Sequence, residues 1–187
     1  MGVKSSTSTV PPATAAIIRA EGEGERRWFF GGGVHTWKVR AHESNGAFLL
    51  FEDSMTGGKA TPLHTHPDSD ETAVVLEGEI LMHVDGANRH VGTGGVAMAP
   101  RGVPHAFLVL SATAKILFLH TPGCCEAFYW GASEPLPTED ATEREKGEEG
   151  VVDFDRVRAS AQANGGIVLL GPPPFGASRS WSAQGVG

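Results

Sequence analysis

Cysteine is nearly missing from this chain: two occur, Cys124 and Cys125, and they are adjacent. Neighbouring cysteines rarely reach relaxed disulfide geometry, so both read as free thiols in a reducing compartment. Basic residues are also few, 15 against 22 acidic ones, for a net charge of −7. No basic stripe is visible, which argues against nucleic acid and anionic membrane as partners. No apolar run approaches the ~20 residues of a membrane span. The N-terminal MGVKSSTSTVPPATAAIIRA holds only a short apolar patch, Ala15 to Ile18, too little for a secretory signal. The expected location is therefore cytoplasmic. No long internal repeat is present.

Turn formers are abundant instead. Twenty-five glycines and 12 prolines favour many turns over long helices, and 40% hydrophobic residues suffice for a packed core. Between Trp28 and Tyr129 short apolar stretches recur between Gly, Asp, Asn and Pro: Val34–Arg40, Ala47–Phe51, Thr72–Leu76, Glu79–Val84, Gly95–Ala99, His105–Leu110 and Lys115–His120. Asp85-Gly86 marks a hairpin, and Ser111-Ala112-Thr113 reads as a second tight connection. This spacing predicts an all-β antiparallel sandwich or barrel. The expected organisation is an N-terminal extension over 1–27, a barrel over 28–130 and a C-terminal extension over 131–187. The start of the first extension and residues 176–187 are expected to be mobile, and the charged stretch 135–150 to be a solvated linker. A short helix is predicted after Asp153 or Asp155, stopped by Gly165-Gly166. Residues 167–170 read as a strand or a packed tail.

The chemistry concentrates in GKATPLHTHPDSDE, residues 58–71. His64 and His66 are two apart, so in a strand their imidazoles leave the same face and can chelate one ion. A turn-rich break, PDSD, separates them from Glu71. That residue opens the next strand, expected to run back beside the first and to aim its carboxylate at the same point. Two imidazoles and a carboxylate suit a borderline first-row metal. Further on, PRGVPH ends in His105, which shares a strand face with Phe107 and Val109 and would enter a barrel at its mouth.

Residues Gly58–Gly78 read G-x5-H-x-H-x4-E-x6-G, and Gly94–His105 read G-x5-P-x-G-x2-H. These two segments resemble the paired motifs of the cupin superfamily. The family's second motif often has Asn four residues past its histidine, where this chain has Val109, which removes no ligand. More narrowly, the lead-in WFFGGG…HTWKVRA and the terminal IVLLGPPPF are similar to bacterial single-cupin proteins of the quercetin-2,3-dioxygenase-like kind. The resemblance implies a double-stranded β-helix, or jelly-roll barrel, carrying a short C-terminal helix. It also implies one divalent transition metal ion (Fe, Ni, Mn, Co, Cu or Zn) on His64, His66, Glu71 and His105, with two positions open to water, dioxygen or substrate.

Other residues have plainer readings. His35, His42, His83 and His90 read as surface or strand histidines. His120, on the parity of Ile116 and Phe118, reads as a hydrogen-bonded core histidine. Phe51, Met98, Phe107 and Phe118 are candidates for a substrate wall. Trp28-Phe29-Phe30 and Phe128-Tyr129-Trp130 flank the barrel and suit either a closing mouth or a homodimer interface. Gly31-Gly32-Gly33 lacks the strand-to-helix setting and lysine of a phosphate loop and reads as a flexible turn. Three functions are compatible with this set. One is a dioxygenase for an enolic or phenolic, flavonol-like substrate, with Glu71 as both ligand and proton acceptor. Another is a non-oxidative metalloenzyme: an isomerase, lyase or hydrolase. The third is a metal-dependent small-molecule binding protein without turnover. Fold alone does not separate them.

Overall fold

The structure is a computed structural model that describes residues 15–136 and 152–176. The expectations for the first fourteen residues, for the charged stretch beyond 136 and for the tail after 176 lie outside the described residues.

Period-two alternation sets the architecture. In β3 (Leu49–Thr56) Leu49, Phe51, Asp53 and Met55 turn inward, while the residues between them face out. The same alternation buries Glu71, Ala73 and Val75 on β5 (Asp70–Glu77) and Ala114, Ile116, Phe118 and His120 on β10 (Thr113–Thr121). These three strands form the middle of a seven-stranded sheet. Its order is β11 (Ser133–Pro135), β1 (Glu25–Phe29), β2 (Val34–Val39), β3, β10, β5, β8 (Val96–Ala99). A five-stranded sheet faces it, in the order β12 (Val168–Gly171), β4 (Leu63–Thr65), β9 (His105–Val109), β6 (Glu79–Val84), β7 (Ala87–Gly92). All neighbouring pairs are antiparallel. The inward faces of both sheets meet in one apolar core, in which Trp37, Leu49, Phe51, Ile80 and Ile116 are fully buried. This is the double-stranded β-helix that the motifs imply. Truncating Ile80 to Ala would cost ~2–5 kcal/mol through the cavity left behind.

Turn chemistry pins the register. Asp85 and Gly86 both take positive φ, 50° and 76°, as a two-residue hairpin between β6 and β7 requires. Gly78, with φ 84°, turns β5 into β6 where a Cβ would meet the Thr113 carbonyl at 2.4 Å.

One sequence expectation changes. β4 and β5 do not run side by side. They lie in opposite sheets, so Glu71 reaches the histidines from across the barrel. Ser111-Ala112-Thr113 is the tight connection expected, and it joins β9 to β10 across the sheets. Twisted sheets facing one another let short loops cross between them.

Two helices cover one end. α1 (Glu126–Gly131) follows β10, and α2 (Phe154–Asn164) packs on it. Asp153 Oδ1 accepts the Asp155 and Arg156 amides, and Gly165 ends the helix. Ser160 Oγ donates to the Phe128 carbonyl at 2.8 Å, tying α2 to α1. The chain then adds β12 to β4, the strand that carries His64.

Candidate metal centre

His64 sits at the middle of β4 and pairs in register with His105, the first residue of β9. His66 lies just past β4, and Glu71 is the second residue of β5. Their ligand atoms all lie within 4.8 Å of one another, and all four residues are buried. Alternation on three strands and the PDSD turn thus converge three imidazoles and one carboxylate on one point.

The imidazoles are oriented from behind. His64 Nδ1 donates to the Pro62 carbonyl at 2.8 Å, His105 Nδ1 to Val103 at 2.9 Å, and His66 Nδ1 to Gly166 at 2.6 Å. Each bond fixes the tautomer that leaves Nε2 with a free lone pair, the usual device for presenting a histidine to a metal. Two acceptors lie two residues upstream of their histidine. The third comes from the α2–β12 connection, 100 residues downstream.

Charge at the centre is unbalanced. Glu71 Oε2 lies 3.1 Å from His66 Nε2, 3.5 Å from His105 Nε2 and 3.7 Å from His120 Nε2. Among the described residues no lysine or arginine pairs with it. Burial pushes the Glu71 carboxyl up, but the surrounding imidazoles, His105 foremost, outweigh it and hold the group well below its ordinary range. Burial, reinforced by His105 and His66, pushes His64 down to about 3, so it is neutral. Burial opposes charge at His105 too, yet Glu71 raises it above its usual value. His105 Nε2 and both nitrogens of His120 have no hydrogen-bond partner. Lone pairs converging on a buried anion call for a cation between them. A divalent ion with nitrogen and oxygen preferences fits that donor set.

His120 departs from its expected role. It is fully buried but unbonded, stacked on Phe51 at 5.9 Å and turned toward Glu71. Burial holds it down to about 3. Its parity with Ile116 and Phe118 was the available signal, since an inward histidine at the register position of Glu71 must face it. Tyr129 of α1 donates its hydroxyl to His66 Nε2 at 3.4 Å. With His66 and His120, Cys125 makes a second group of potential ligands. Burial pushes its thiol well up, which keeps it protonated. Both cysteines are free.

Beside the cluster lies a cavity with about 580 Å³ of empty space, its open mouth included. Phe51, Phe107, Phe118 and Tyr129 wall it, and His64 and Glu71 open onto it. Met98 does not. Its side chain is 50% exposed on edge strand β8, because the alternation that buries Ala99 turns residue 98 outward. The flanking aromatics Phe29 and Phe128 pack in the core and line the cavity, as do Val157 of α2 and Ile167. His35, expected at the surface or in a strand, is on β2 and fully buried, whereas His42 and His90 are exposed and His83 is partly so.

Fold and site together define a jelly-roll barrel with a histidine–carboxylate cluster inside. Residues 51–120 match the cupin domain family Cupin_2, and the fold is the double-stranded β-helix of cupin structures. Quercetin 2,3-dioxygenase from Bacillus subtilis is 30% identical over 111 residues, 59% of this chain and 33% of that enzyme. The HTH-type transcriptional regulator PuuR of Escherichia coli is 29% identical over 91 residues, 48% of this chain and 49% of the regulator. The chain thus spans about a third and about half of the lengths of these curated relatives. The solved structure of KdgF from a Halomonas species shares the fold, with a TM-score of 0.53 at 16% identity, covering 58% of this chain and 94% of that one. No helix among the described residues is long and apolar enough to cross a membrane.

Proposed function

We propose that the protein is a metal-dependent dioxygenase of an enolic or phenolic, flavonol-like small molecule. His64, His66, Glu71 and His105 hold one divalent transition metal ion. The observation that carries this reading is Glu71, a buried carboxylate ringed by back-oriented imidazoles, without a fixed cation, at the wall of an aromatic cavity. The likeness to the Bacillus quercetin dioxygenase favours the oxidative version. When bound, the metal supplies Lewis acidity and a template for dioxygen.

The chain's own residues do the rest. Glu71 is the sole carboxylate of the set and is assigned the proton of the substrate hydroxyl. His64, His66 and His105 would turn Nε2 to the ion, because their Nδ1 atoms are committed to backbone carbonyls. Phe51, Phe107 and Phe118 present a flat apolar wall that orients a planar guest and excludes water.

The test is oxygen consumption by metal-reconstituted protein with a flavonol, alongside elemental analysis. About one ion per chain and uptake matching substrate loss are expected, both reduced in His105→Ala. Substrate loss without oxygen uptake would instead indicate a lyase, isomerase or hydrolase. Binding without loss would indicate a binding protein, the reading that the match to a transcriptional regulator favours.

A further inference from the structure

A second buried group of charges lines the same cavity. His35 on β2 and Asp53 on β3 are register partners, with His35 Nε2 3.5 Å from Asp53 Oδ2. Lys59, three residues past β3, folds back and donates to the same oxygen at 2.8 Å. All three residues border the cavity. Gly33 makes this arrangement possible. A Cβ there would lie 2.4 Å from Asp53 Oδ1 and 3.0 Å from Lys59 Nζ. The His35 ring is held by aromatic contacts, stacked on Phe29 at 4.6 Å and 18° and tilted against Phe51 at 4.6 Å.

Stability does not account for the cluster. A buried ion pair adds little over apolar residues of the same size. Moreover, His35 Nδ1 and Asp53 Oδ1 are buried without any partner, which costs free energy. With Nε2–H turned to Asp53, Nδ1 presents a lone pair. Lys59 has two N–H groups beyond the one given to Asp53. Lysine and aspartate cancel in charge, and burial, against the pull of Asp53, keeps His35 neutral. The missing partner is therefore uncharged and both donates and accepts a hydrogen bond. A hydroxyl, of a ligand or of water, meets those conditions, whereas a carboxylate would set a second anion beside Asp53.

The cluster stands apart from Glu71. Along β10, Asp53 is registered with Ile116 and Glu71 with His120, four residues or about 13 Å away. Phe51 and Phe118 lie between. We propose that His35, Asp53 and Lys59 form a subsite for a ligand hydroxyl at the end of the cavity away from the histidine–Glu71 cluster. The cavity then selects flat, apolar molecules with an oxygen function at each end. This rests on the cavity being the ligand site of the proposed function, but not on turnover.

The experiment measures dissociation constants for three probes on the metal-free, full-length protein by tryptophan fluorescence. The probes are 3-hydroxyflavone, 3,4′-dihydroxyflavone and 3-hydroxy-4′-methoxyflavone. The distal hydroxyl should tighten binding about tenfold or more, and the methoxy probe should lose that gain. In His35→Phe, which keeps the stack but lacks Nδ1, the first two probes should bind alike. Equal affinities in the wild type, no binding of any probe, or an undiminished preference in folded His35→Phe would overturn the subsite. If His35→Phe does not fold, the methoxy probe decides alone. Oxygen uptake by the metal-loaded protein separates the two readings. Hydroxyl preference without uptake keeps the subsite and removes the dioxygenase, and uptake without preference does the reverse.

Discussion

Asp53 and Glu71 are both buried carboxylates on the inner face of the seven-stranded sheet, on the two strands that flank β10. Asp53 has its counter-charge built in, the Lys59 ammonium at 2.8 Å. Glu71 has imidazoles alone, at 3.1, 3.5 and 3.7 Å. One site is neutralised by the chain, and the other is able to hold a cation from outside. Residue type alone does not distinguish them, since each is a buried carboxylate in contact with histidine. What distinguishes them is whether a long cationic side chain reaches in.

The largest effect should come from Glu71. In Glu71→Gln, turnover per bound metal should fall on the order of 10²–10⁴-fold, while metal content falls modestly. Oxygen uptake and metal occupancy measured on the same preparations give the ratio, and an unchanged ratio would leave Glu71 a ligand only. Next comes the built-in pair. Lys59→Met strands Asp53 as a lone buried charge and should cost about 3–5 kcal/mol in urea unfolding. Adding Asp53→Leu to that variant should restore most of the loss. If it does not, Lys59 serves Asp53 in some way other than charge.

Third, the barrel should fold without metal, since its core is large. A metal at a hundredfold excess over its Kd should then add about 2.7 kcal/mol, seen as a higher Tm. His66→Ala should abolish most of that rise. Unfolding by a chelator alone would show that Glu71 cannot tolerate even temporary lack of a cation. The smallest effect belongs to a carboxylate near the surface. The bidentate Arg19 contact, aided by the Arg40 amide against a small burial effect, holds Glu43 down to about 2 from an ordinary 4.5. Its contribution is fully present above pH 4.5 and is lost as pH falls through about 2. Solvent screening limits it to on the order of 1 kcal/mol or less. Glu43→Gln should flatten the acid limb of a stability–pH curve by that amount.

The sequence reveals Glu71 and hides Asp53 for one reason. His64, His66 and Glu71 lie within eight residues, and their spacing carries their geometry. Their convergence with His105 was legible because strand parity and the paired motifs agree on it. His35 and Asp53 meet only through the β2–β3 register, and nothing local marks either as inward. Met98 misled through size. A large apolar residue suggests a wall, but on a four-residue edge strand the small Ala97 and Ala99 take the inner positions. The unexpected crossing of β4 and β5 between sheets has a similar origin, since the turn between them is readable while its destination depends on partners far along the chain.

The Gly166 carbonyl that steadies His66 arrives late. During synthesis, domains acquire structure roughly as they emerge, N-terminal parts first. All four candidate ligands have been synthesised once His105 has left the ribosome, yet the acceptor for one imidazole comes some sixty residues later. The back-bonding of the centre is therefore completed only when the connection into β12 has been made.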